Sequence, residues 1–491
     1  MPMITANVVL LNLASLGHCS RGQLIPGHRL STEGFVGIGD RGRHGSGRLS
    51  QRIGKGCECR EVNPNLEAAS FIYLCGHASI RWPASTAQRY QRTRATATGV
   101  FGNGLFCCMI WVTGNARRQT DMATKSNTTI FAYVGTYTVT EQSGRGRSEG
   151  IYIYRVDPTS GLWTHIGTAR GIVNPSYLSF DPQGRYLYSV IEADQVDGQP
   201  GGAVAAYAVD RQSGALTYLN RQSTRGAGPC YVSTDATGRY VLAANYNGGS
   251  IAVLPIQEGG RLGPASDFIQ HVGSGPHPNQ STAHAHFIAP DPSNRFALVN
   301  DLGVDKTFVY RLDLQAGKLI PNDPPYASLK PGAGPRHLAF HPNGRFVYVI
   351  DELDNTVTVF AWDEQRGALS TVQCIDTLPH DFQGTSYCAD VHFGPTGYYL
   401  YGSNRGHDSI VIYYVNGQTG TLELIGWQST YGSTPRNFAI EPNGQYMYVA
   451  NQDSDNIVTF RIDNQTGKLT PVGEHIQVPR PVCVKFLMAG E

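Results

Sequence analysis

Residues 332–369, GAGPRHLAFHPNGRFVYVIDELDNTVTVFAWDEQRGAL, contain the pattern that decides the fold. Apolar and polar side chains alternate over 337–341, a turn signal follows at Asn343-Gly344, and 346–350 is an almost wholly apolar run. After a polar loop comes another β-rich run, 356–362. Alternation, β-branched and aromatic residues and Gly/Asn turns are typical of short antiparallel strands. One such unit cannot bury both of its faces, so the sequence is expected to repeat it.

The unit does recur along the chain. Its turn positions are spaced about 47 to 56 residues apart, a period typical of propeller blades, and they are Gly184, Gly238, Asn294, Gly344, Gly397 and Gly444. A second turn, with Gly one or two residues before a Leu, recurs seven times and ends in Leu162, Leu216, Leu262, Leu319, Leu369, Leu422 and Leu469. Seven hairpins predict seven blades.

The two ends of this region supply the first and second strands of the seventh blade. Residues 481–486 have the pattern of a first strand, and residues 130–137 have the pattern of a second strand. A last blade shared by both ends would leave no free sheet edge around the ring. The sequence therefore predicts an all-β fold, a seven-bladed β-propeller over residues 128–488, with the last blade closed by N- and C-terminal strands.

The first 121 residues differ in composition from the rest. They carry 14 Lys+Arg against 6 Asp+Glu, whereas the remaining chain carries 25 against 32, and they hold six of the ten cysteines. They show no sustained strand or helix period and no apolar run of membrane length. A transit peptide is one interpretation, and a misassigned start is another. Because Met122 stands directly before the first strand, we expect residues 1–121 to be disordered or non-native, with Met122 as the true start.

The propeller region keeps four cysteines, Cys230, Cys374, Cys388 and Cys483, without CxxC or metal-ligand spacing. They are expected to be buried free thiols in a reducing compartment, which favours the cytoplasm. No phosphate loop, dinucleotide fingerprint or GxSxG elbow is present, and the acidic propeller argues against a nucleic-acid partner. Because a closed ring needs no partner for its stability, we expect a monomer. The absence of an apolar run of membrane length predicts that it binds no membrane.

Polar residues are concentrated in one class of loops. In a propeller blade the innermost strand comes first, so the loop leading into it and the loop joining the second and third strands open on the same face. These loops carry arginines, histidines, carboxylates and amides, namely Arg336, Arg405, Arg436, His284, His286, His337, Glu352, Asp301, Asp390, Asn404 and Asn451. Arginine forks beside titratable histidines and carboxylates predict a site for an anionic ligand.

Each of these residues also has a structural interpretation, because propellers use buried Asp, His and Arg as hydrogen-bonded links between blades. We favour that interpretation for His284 and His392. For Arg336 with Glu352 we favour a function, since both belong to one blade and both approach the channel.

Four segments together resemble the seven-bladed β-propeller lactonase family: GAGPRHLAFHPNGRFVYVIDEL, HAHFIAPDPSNRF followed by DLGVDK, LYGSNRGHDSI, and PRNFAIEPNGQYMYVANQDSDNI. That family includes bacterial propeller-type 6-phosphogluconolactonases and a fungal carboxymuconate-lactonising relative. The resemblance covers about residues 128–488 and leaves 1–121 outside. It implies no metal and no organic cofactor, and it implies a catalytic set of His286, Arg336, Glu352 and Arg405.

The resemblance further implies hydrolysis of 6-phosphoglucono-1,5-lactone to 6-phosphogluconate, a step of the pentose phosphate pathway. Under this hypothesis Glu352 or His286 takes the proton from water, and Arg336 stabilises the carbonyl oxygen. The phosphate would be held by Arg405, Arg436 or His337, and the other substrate contacts would come from Asp301, Asp390, Asn404 and Asn451.

Two alternatives stay open at this point. The same pocket could perform a lactonising reaction on an unsaturated dicarboxylate or open a different lactone. The chain could also be a binding propeller without turnover, because the fold hosts many functions.

Overall fold

The computed structural model describes residues 95–99, 108–112, 129–139 and 148–489. Its contacts divide the chain into two units, residues 1–125 and 126–491. In the first unit, strand β1 (Ala95–Gly99) pairs antiparallel with β2 (Cys108–Val112). The other residues of the segment 1–121, and the start proposed at Met122, lie outside the described residues, so that expectation stays a prediction.

The second unit consists of antiparallel sheets arranged as propeller blades. It begins with three strands of the blade that closes the ring, β3 (Thr129–Thr136), β4 (Gly150–Val156) and β5 (Trp163–Arg170). Blade 1 contains β6 (Leu178–Phe180), β7 (Tyr186–Ile191), β10 (Ala203–Val209) and β11 (Leu216–Ser223), with the small hairpin β8 (Gln195–Val196) and β9 (Gln199–Pro200) in its β7–β10 loop. Blade 2 contains β12 (Pro229–Thr234), β13 (Tyr240–Asn245), β14 (Ser250–Pro255) and β15 (Asp267–Gln270).

Four more blades follow in chain order. Blade 3 contains β16 (Ala285–Pro290), β17 (Phe296–Asp301), β18 (Lys306–Asp313) and β19 (Lys318–Ser328). Blade 4 contains β20 (Pro335–Phe340), β21 (Phe346–Asp351), β22 (Thr356–Asp363) and β23 (Ala368–Asp376). Blade 5 contains β24 (Tyr387–Phe393), β25 (Tyr399–Arg405), β26 (Ser409–Val415) and β27 (Leu422–Ser429). Blade 6 contains β28 (Pro435–Ile440), β29 (Tyr446–Asn451), β30 (Asn456–Ile462), β31 (Leu469–Pro471) and β32 (Ile476–Gln477).

The closing blade joins strands from opposite ends of the propeller region. Strand β33 (Pro481–Ala489) is its first strand and pairs antiparallel with β3, so that Ile130 lies opposite Met488 and Val134 lies opposite Val484. The sheet order is β33-β3-β4-β5. The prediction of a seven-bladed propeller closed by terminal strands is therefore confirmed.

Tyrosines of the second strands link neighbouring blades. In five of the seven junctions the buried hydroxyl donates to the carbonyl of the glycine in the next blade's outer hairpin, as Tyr348 does to Gly420 at 2.7 Å. The other four pairs are Tyr133–Gly214, Tyr188–Gly260, Tyr401–Gly467 and Tyr448–Gly161. Each neutral hydrogen bond of this kind contributes about 1 kcal/mol. The glycines that reveal the repeat in the sequence thus also receive the contacts that hold the blades together.

The described part of the chain contains no α-helix and only three 3-10 turns, Glu258–Gly260, Pro278–Gln280 and Leu302–Val304. None of its helices is long and apolar enough to span a membrane. The four propeller cysteines are free, and three of them are buried as predicted. The prediction is wrong for Cys374, which is exposed because it lies on the outer strand β23, one face of which meets solvent.

Candidate active site

A β-bulge at the start of the first strands builds the wall of the central channel. In blade 4, Pro335 pairs with Asp351 and His337 pairs with Ile350, so Arg336 has no residue opposite it. Blades 2, 3, 5, 6 and the closing blade show the same irregularity. A bulged residue leaves the ladder, and its side chain is re-aimed. We call these residues and their counterpart in blade 1 the bulge ring: Ser176, Cys230, His286, Arg336, Ala389, Arg436 and Val482.

A second ring is formed by one residue from each blade, at the point where the second strand ends and the loop to the third strand begins. In blade 4 this residue is Glu352, whose N–H donates to the Gly334 carbonyl of the leading loop at 2.7 Å. The equivalent bond recurs at the positions of Tyr137, Glu192, Tyr246, Leu302 and Gln452. In blade 5 the register places Arg405 there. We call this set the rim ring: Tyr137, Glu192, Tyr246, Leu302, Glu352, Arg405 and Gln452.

The two rings meet around a small cavity. Its lining includes every residue of the bulge ring except Ala389, together with Tyr137 and Glu192 of the rim ring. Tyr177 and His337 complete the lining. The repeat of the fold thus gathers one side chain from each of several distant segments at one end of the channel.

Glu352 joins two arginines at the edge of this cavity. Its Oε2 lies 2.8 Å from Nε of Arg336, in an ion pair that is not aligned as a hydrogen bond, and 2.9 Å from Nη2 of Arg405. Burial alone would raise the pKa of Glu352, but Arg405 and then Arg336 outweigh it and hold the pKa below its usual range. Glu352 is therefore ionised at neutral pH, and its Oε2 contacts both arginines.

The two arginines differ in what they can offer a ligand. Arg336 is 3% exposed, and its Nη1 donates to the Ala389 carbonyl and to Nε2 of His337, whereas its Nη2 donates to no described residue. Burial, assisted by Arg405, lowers the pKa of Arg336 to about 10, so it stays charged at neutral pH. Arg405 donates from Nη2 to the Cys388 carbonyl at 2.8 Å and does not line the cavity. Arg405 thus stands behind Glu352, and Arg336 faces the cavity.

Arg436 differs from both because it makes no hydrogen bond or ion pair with any described residue. Its guanidinium lies over the ring of Tyr137, 5.6 Å from the centroid. It lines the cavity together with Glu192. An unpaired guanidinium in a confined site is suited to a planar oxyanion such as phosphate or carboxylate.

His286 is buried and neutral. Its Nδ1 has no partner in the described part of the chain, and its ring packs edge-on against Tyr246 and His337. Burial and the charge of Arg336 hold the pKa of His286 well below its ordinary value. The imidazole therefore carries a free lone pair in a cavity whose other bases are engaged.

His337 is held in one tautomer by its two contacts. Nδ1 donates to Asp390 Oδ1 at 2.8 Å, and Nε2 accepts from Arg336 at 3.3 Å. Burial, with Arg336 adding to it, lowers the pKa of His337 to about 4. A neutral imidazole with both nitrogens engaged positions Arg336 and has no proton acceptor left for a ligand.

Asp390 is the centre of a hydrogen-bonded network below the cavity. It accepts from His337, from His392 Nε2 at 2.9 Å and from the amide of Asn437. Burial would raise the pKa of Asp390, but His392 and His337 hold it well below its ordinary value. The residue links blades 4, 5 and 6 and does not line the cavity.

The structure brings together six of the predicted residues and leaves four elsewhere. His286, Arg336, Glu352 and Arg405 form one cluster with His337 and Arg436. The remaining four, Asp301, Asp390, Asn404 and Asn451, are buried outside the cavity lining. Asp301 bonds to His271 and to the His284 N–H, and the two asparagines bond to the carbonyls of Thr377 and Thr430. His284 contacts the Tyr246 carbonyl of blade 2, whereas His392 bonds to Asp390 of its own strand, β24.

Six residues of the cavity lining were not predicted as site residues: Tyr137, Ser176, Tyr177, Glu192, Cys230 and Val482. Burial raises the pKa of the Cys230 thiol well above its ordinary value, which makes a thiolate nucleophile unfavourable. A signal for Glu192 was available, because it follows Ile191 as Glu352 follows Asp351. Within the described residues, no group of three or more His, Cys, Asp or Glu is arranged to hold a metal ion.

Comparison with known proteins gives consistent matches over the propeller. Residues 131–486 match the family model described as "Lactonase, 7-bladed beta-propeller". A 6-phosphogluconolactonase of Bacillus subtilis is 38% identical over 360 residues, which is 73% of this chain and 99% of that protein. A 6-phosphogluconolactonase of Formosa agariphila is 36% identical over 60% of this chain and 82% of its own length. The structure of a periplasmic gluconolactonase from Pseudomonas aeruginosa is 36% identical and superposes with a TM-score of 0.69, over 73% of this chain and 99% of that one.

Proposed function

The chain belongs to the seven-bladed β-propeller lactonase family, and from this we propose that it hydrolyses a sugar lactone, with 6-phospho-D-glucono-1,5-lactone as the first candidate and the pentose phosphate pathway as its setting. Relatives named 6-phosphogluconolactonase support this substrate. The observation that carries the proposal is the cavity in which a neutral histidine, Arg336 and an unpaired Arg436 converge. We also propose a cytoplasmic monomer that uses no cofactor, and the free cysteines of the propeller support the reducing compartment.

Lactone opening needs an activated water and a stabilised oxyanion. We infer that His286 takes the proton from water, because it lines the cavity and its buried Nδ1 leaves Nε2 as the nitrogen open to a ligand. The arginines that depress its pKa are neutralised when an anionic substrate binds, so the basicity of His286 rises in the complex.

The remaining roles follow from which groups are free. The Nη2 of Arg336 donates to no described residue and is suited to the developing carbonyl oxyanion. Glu352 fixes the orientation of Arg336 through its 2.8 Å contact. Arg436 would hold the phosphate.

Glu352 is the second candidate for the base, since the arginines hold its pKa below the usual range and it contacts Arg336. Comparing His286→Asn with Glu352→Gln separates the two. If His286 is the base, H286N loses about 10²-fold or more in kcat with little change in KM, whereas E352Q also raises KM because Arg336 and Arg405 lose their anchor. The opposite pattern would transfer the role to Glu352.

The substrate itself is tested with two lactones. The wild-type protein should open freshly generated 6-phosphogluconolactone faster than the spontaneous reaction. Arg436→Met should raise KM for the phosphorylated lactone about tenfold or more, as expected for the loss of a charge-assisted contact, and leave the KM for glucono-1,5-lactone unchanged. Equal effects on both lactones would remove Arg436 from phosphate binding and favour an unphosphorylated substrate, the type named for the Pseudomonas relative.

A further inference from the structure

A second carboxyl faces the cavity from the side opposite Glu352. Glu192 occupies in blade 1 the rim-ring position that Glu352 occupies in blade 4, and blades 2 and 3 lie between them on the shorter path around the ring. Of the two, Glu192 is the one that lines the cavity, together with His286, Arg336 and Arg436. The mechanism proposed above gives it no role.

Glu192 is surrounded by hydroxyl groups instead of arginine contacts. The Tyr137 hydroxyl lies 3.0 Å from both carboxyl oxygens, and the Ser176 hydroxyl donates to Oε2. Neither Arg436 nor Arg336 approaches it within ion-pair distance. Burial raises the pKa of Glu192, and Arg436, Ser176 and Tyr137 offset only part of that effect.

The carboxyl is also fixed from its backbone. The Glu192 N–H donates to the Asn174 carbonyl at 3.2 Å, and the Glu192 carbonyl accepts from the Asn174 side chain at 3.2 Å. The same Asn174 amide oxygen accepts from the N–H groups of Thr138 and Val139, at 3.0 and 2.8 Å. Asn174 therefore aligns the segment that carries Tyr137 with the segment that carries Glu192. Such anchoring is typical of a group whose position matters for chemistry.

Titratable groups with different surroundings can divide acid and base roles within one site, and here His286 has the role of the base. We propose that Glu192 is a catalytic residue of this site and donates the proton that the ring oxygen takes up when the lactone opens. This inference rests on the proposed hydrolase function.

Water adds to the lactone carbonyl carbon and gives its proton to the base, which leaves a tetrahedral oxyanion. When that intermediate collapses, the bond between the carbonyl carbon and the ring oxygen breaks, and its electron pair stays on the ring oxygen. That oxygen takes the proton of Glu192, which becomes a carboxylate and is reprotonated from solvent as the base releases its proton. No oxidant, metal or co-reactant is needed.

The test uses the full chain and follows kcat, KM and their pH dependence for three variants. Glu192→Gln should lower kcat about 10²-fold or more, with KM nearly unchanged. Wild-type activity should fall as pH rises through the pKa of Glu192, and this alkaline limb should vanish in E192Q. Glu364→Gln, at an exposed carboxylate of an outer turn, is the matched control and should leave both unchanged.

Ser176→Ala gives a second readout that a merely structural role would not move. Its hydroxyl stabilises the ionised form of Glu192, so its removal should shift the alkaline limb to higher pH. The groups facing Glu192 from the other blades, Arg436, Arg336, Tyr137 and Cys230, are the same in the wild type and in this variant.

Three results would overturn the proposal: an unchanged kcat in E192Q, a rise in KM alone, or an alkaline limb that stays in place in both variants. Failure of the hydrolase function is distinguishable from these, because the wild type itself would then give no acceleration over spontaneous hydrolysis.

Discussion

Acidification should destabilise the propeller through His337. Its pKa is about 4 in the fold, because of burial and Arg336, against an ordinary value of 6.5. A histidine whose pKa is lowered by folding binds a proton more weakly in the native state, so unfolding takes up a proton between these two values. The contribution of His337 to the free energy of unfolding is therefore present above pH 6.5 and is lost as pH falls toward 4. Over about 2.5 pH units, at about 1.4 kcal/mol per unit, the loss is about 3 kcal/mol.

The measurement is the free energy of unfolding in urea at several pH values from 7.5 to 4.5, for the wild type and for His337→Gln. The variant should be less stable at pH 7.5, since it loses contacts to Asp390 and Arg336, but its stability should depend less steeply on pH. Near pH 5.2 the slopes should differ by about 1.4 kcal/mol per pH unit, one proton. His165→Gln, on the exposed face of β5, is the control and should keep the wild-type slope. Parallel curves for the wild type and H337Q would refute the reasoning.

Three further predictions concern catalysis, packing and thiol chemistry. Arg336→Ala should lower kcat about 10²–10³-fold if Arg336 binds the oxyanion, while Arg345→Ala in an outer turn should not; equal activities in a steady-state assay would remove the role. Gly303→Ala should lower the free energy of unfolding by about 3 kcal/mol or more, because a Cβ there would lie 1.9 Å from the Thr282 carbonyl oxygen. Gly167→Ala, where a Cβ would have no atom nearer than 3.9 Å, should lower it by under about 0.5 kcal/mol. Similar urea midpoints for the two variants would contradict this prediction. Iodoacetamide should label Cys374 before the three buried propeller cysteines, as peptide mass mapping would show, and early labelling of Cys230 would contradict the burial described here.

The fold was predictable because its signals are local and repeated. A hairpin turn with Gly before Leu occurs once per blade, and those glycines accept the tyrosine hydroxyls that join the blades. The closing blade was predictable because 481–486 and 130–137 are each half of a pattern whose complement is elsewhere. The exposure of Cys374 was not predictable in the same way, because the residues around it predict a strand but not whether that strand has a face in solvent.

The site was predictable only in part, for the same reason. Arg336 and Glu352 flank a strongly patterned blade, and their loops were easy to place on one face. Glu192 was missed because the β7–β10 loop contains an additional hairpin that obscures the repeat. Asn404 and Asn451 were assigned to substrate because a polar residue at a strand end can point into the channel or between blades. The sequence alone does not distinguish those two directions.

The closing blade sets a condition on when the catalytic cavity can exist. Tyr137 directly follows β3, whereas Val482 lies in β33, so two parts of the cavity wall are about 345 residues apart in the chain. During synthesis at about 5–20 residues per second, the first part leaves the ribosome on the order of 20–70 s before the second. A nascent chain with six blades therefore has an open ring and an incomplete cavity. The cavity becomes complete in a single step, when β33 pairs with β3.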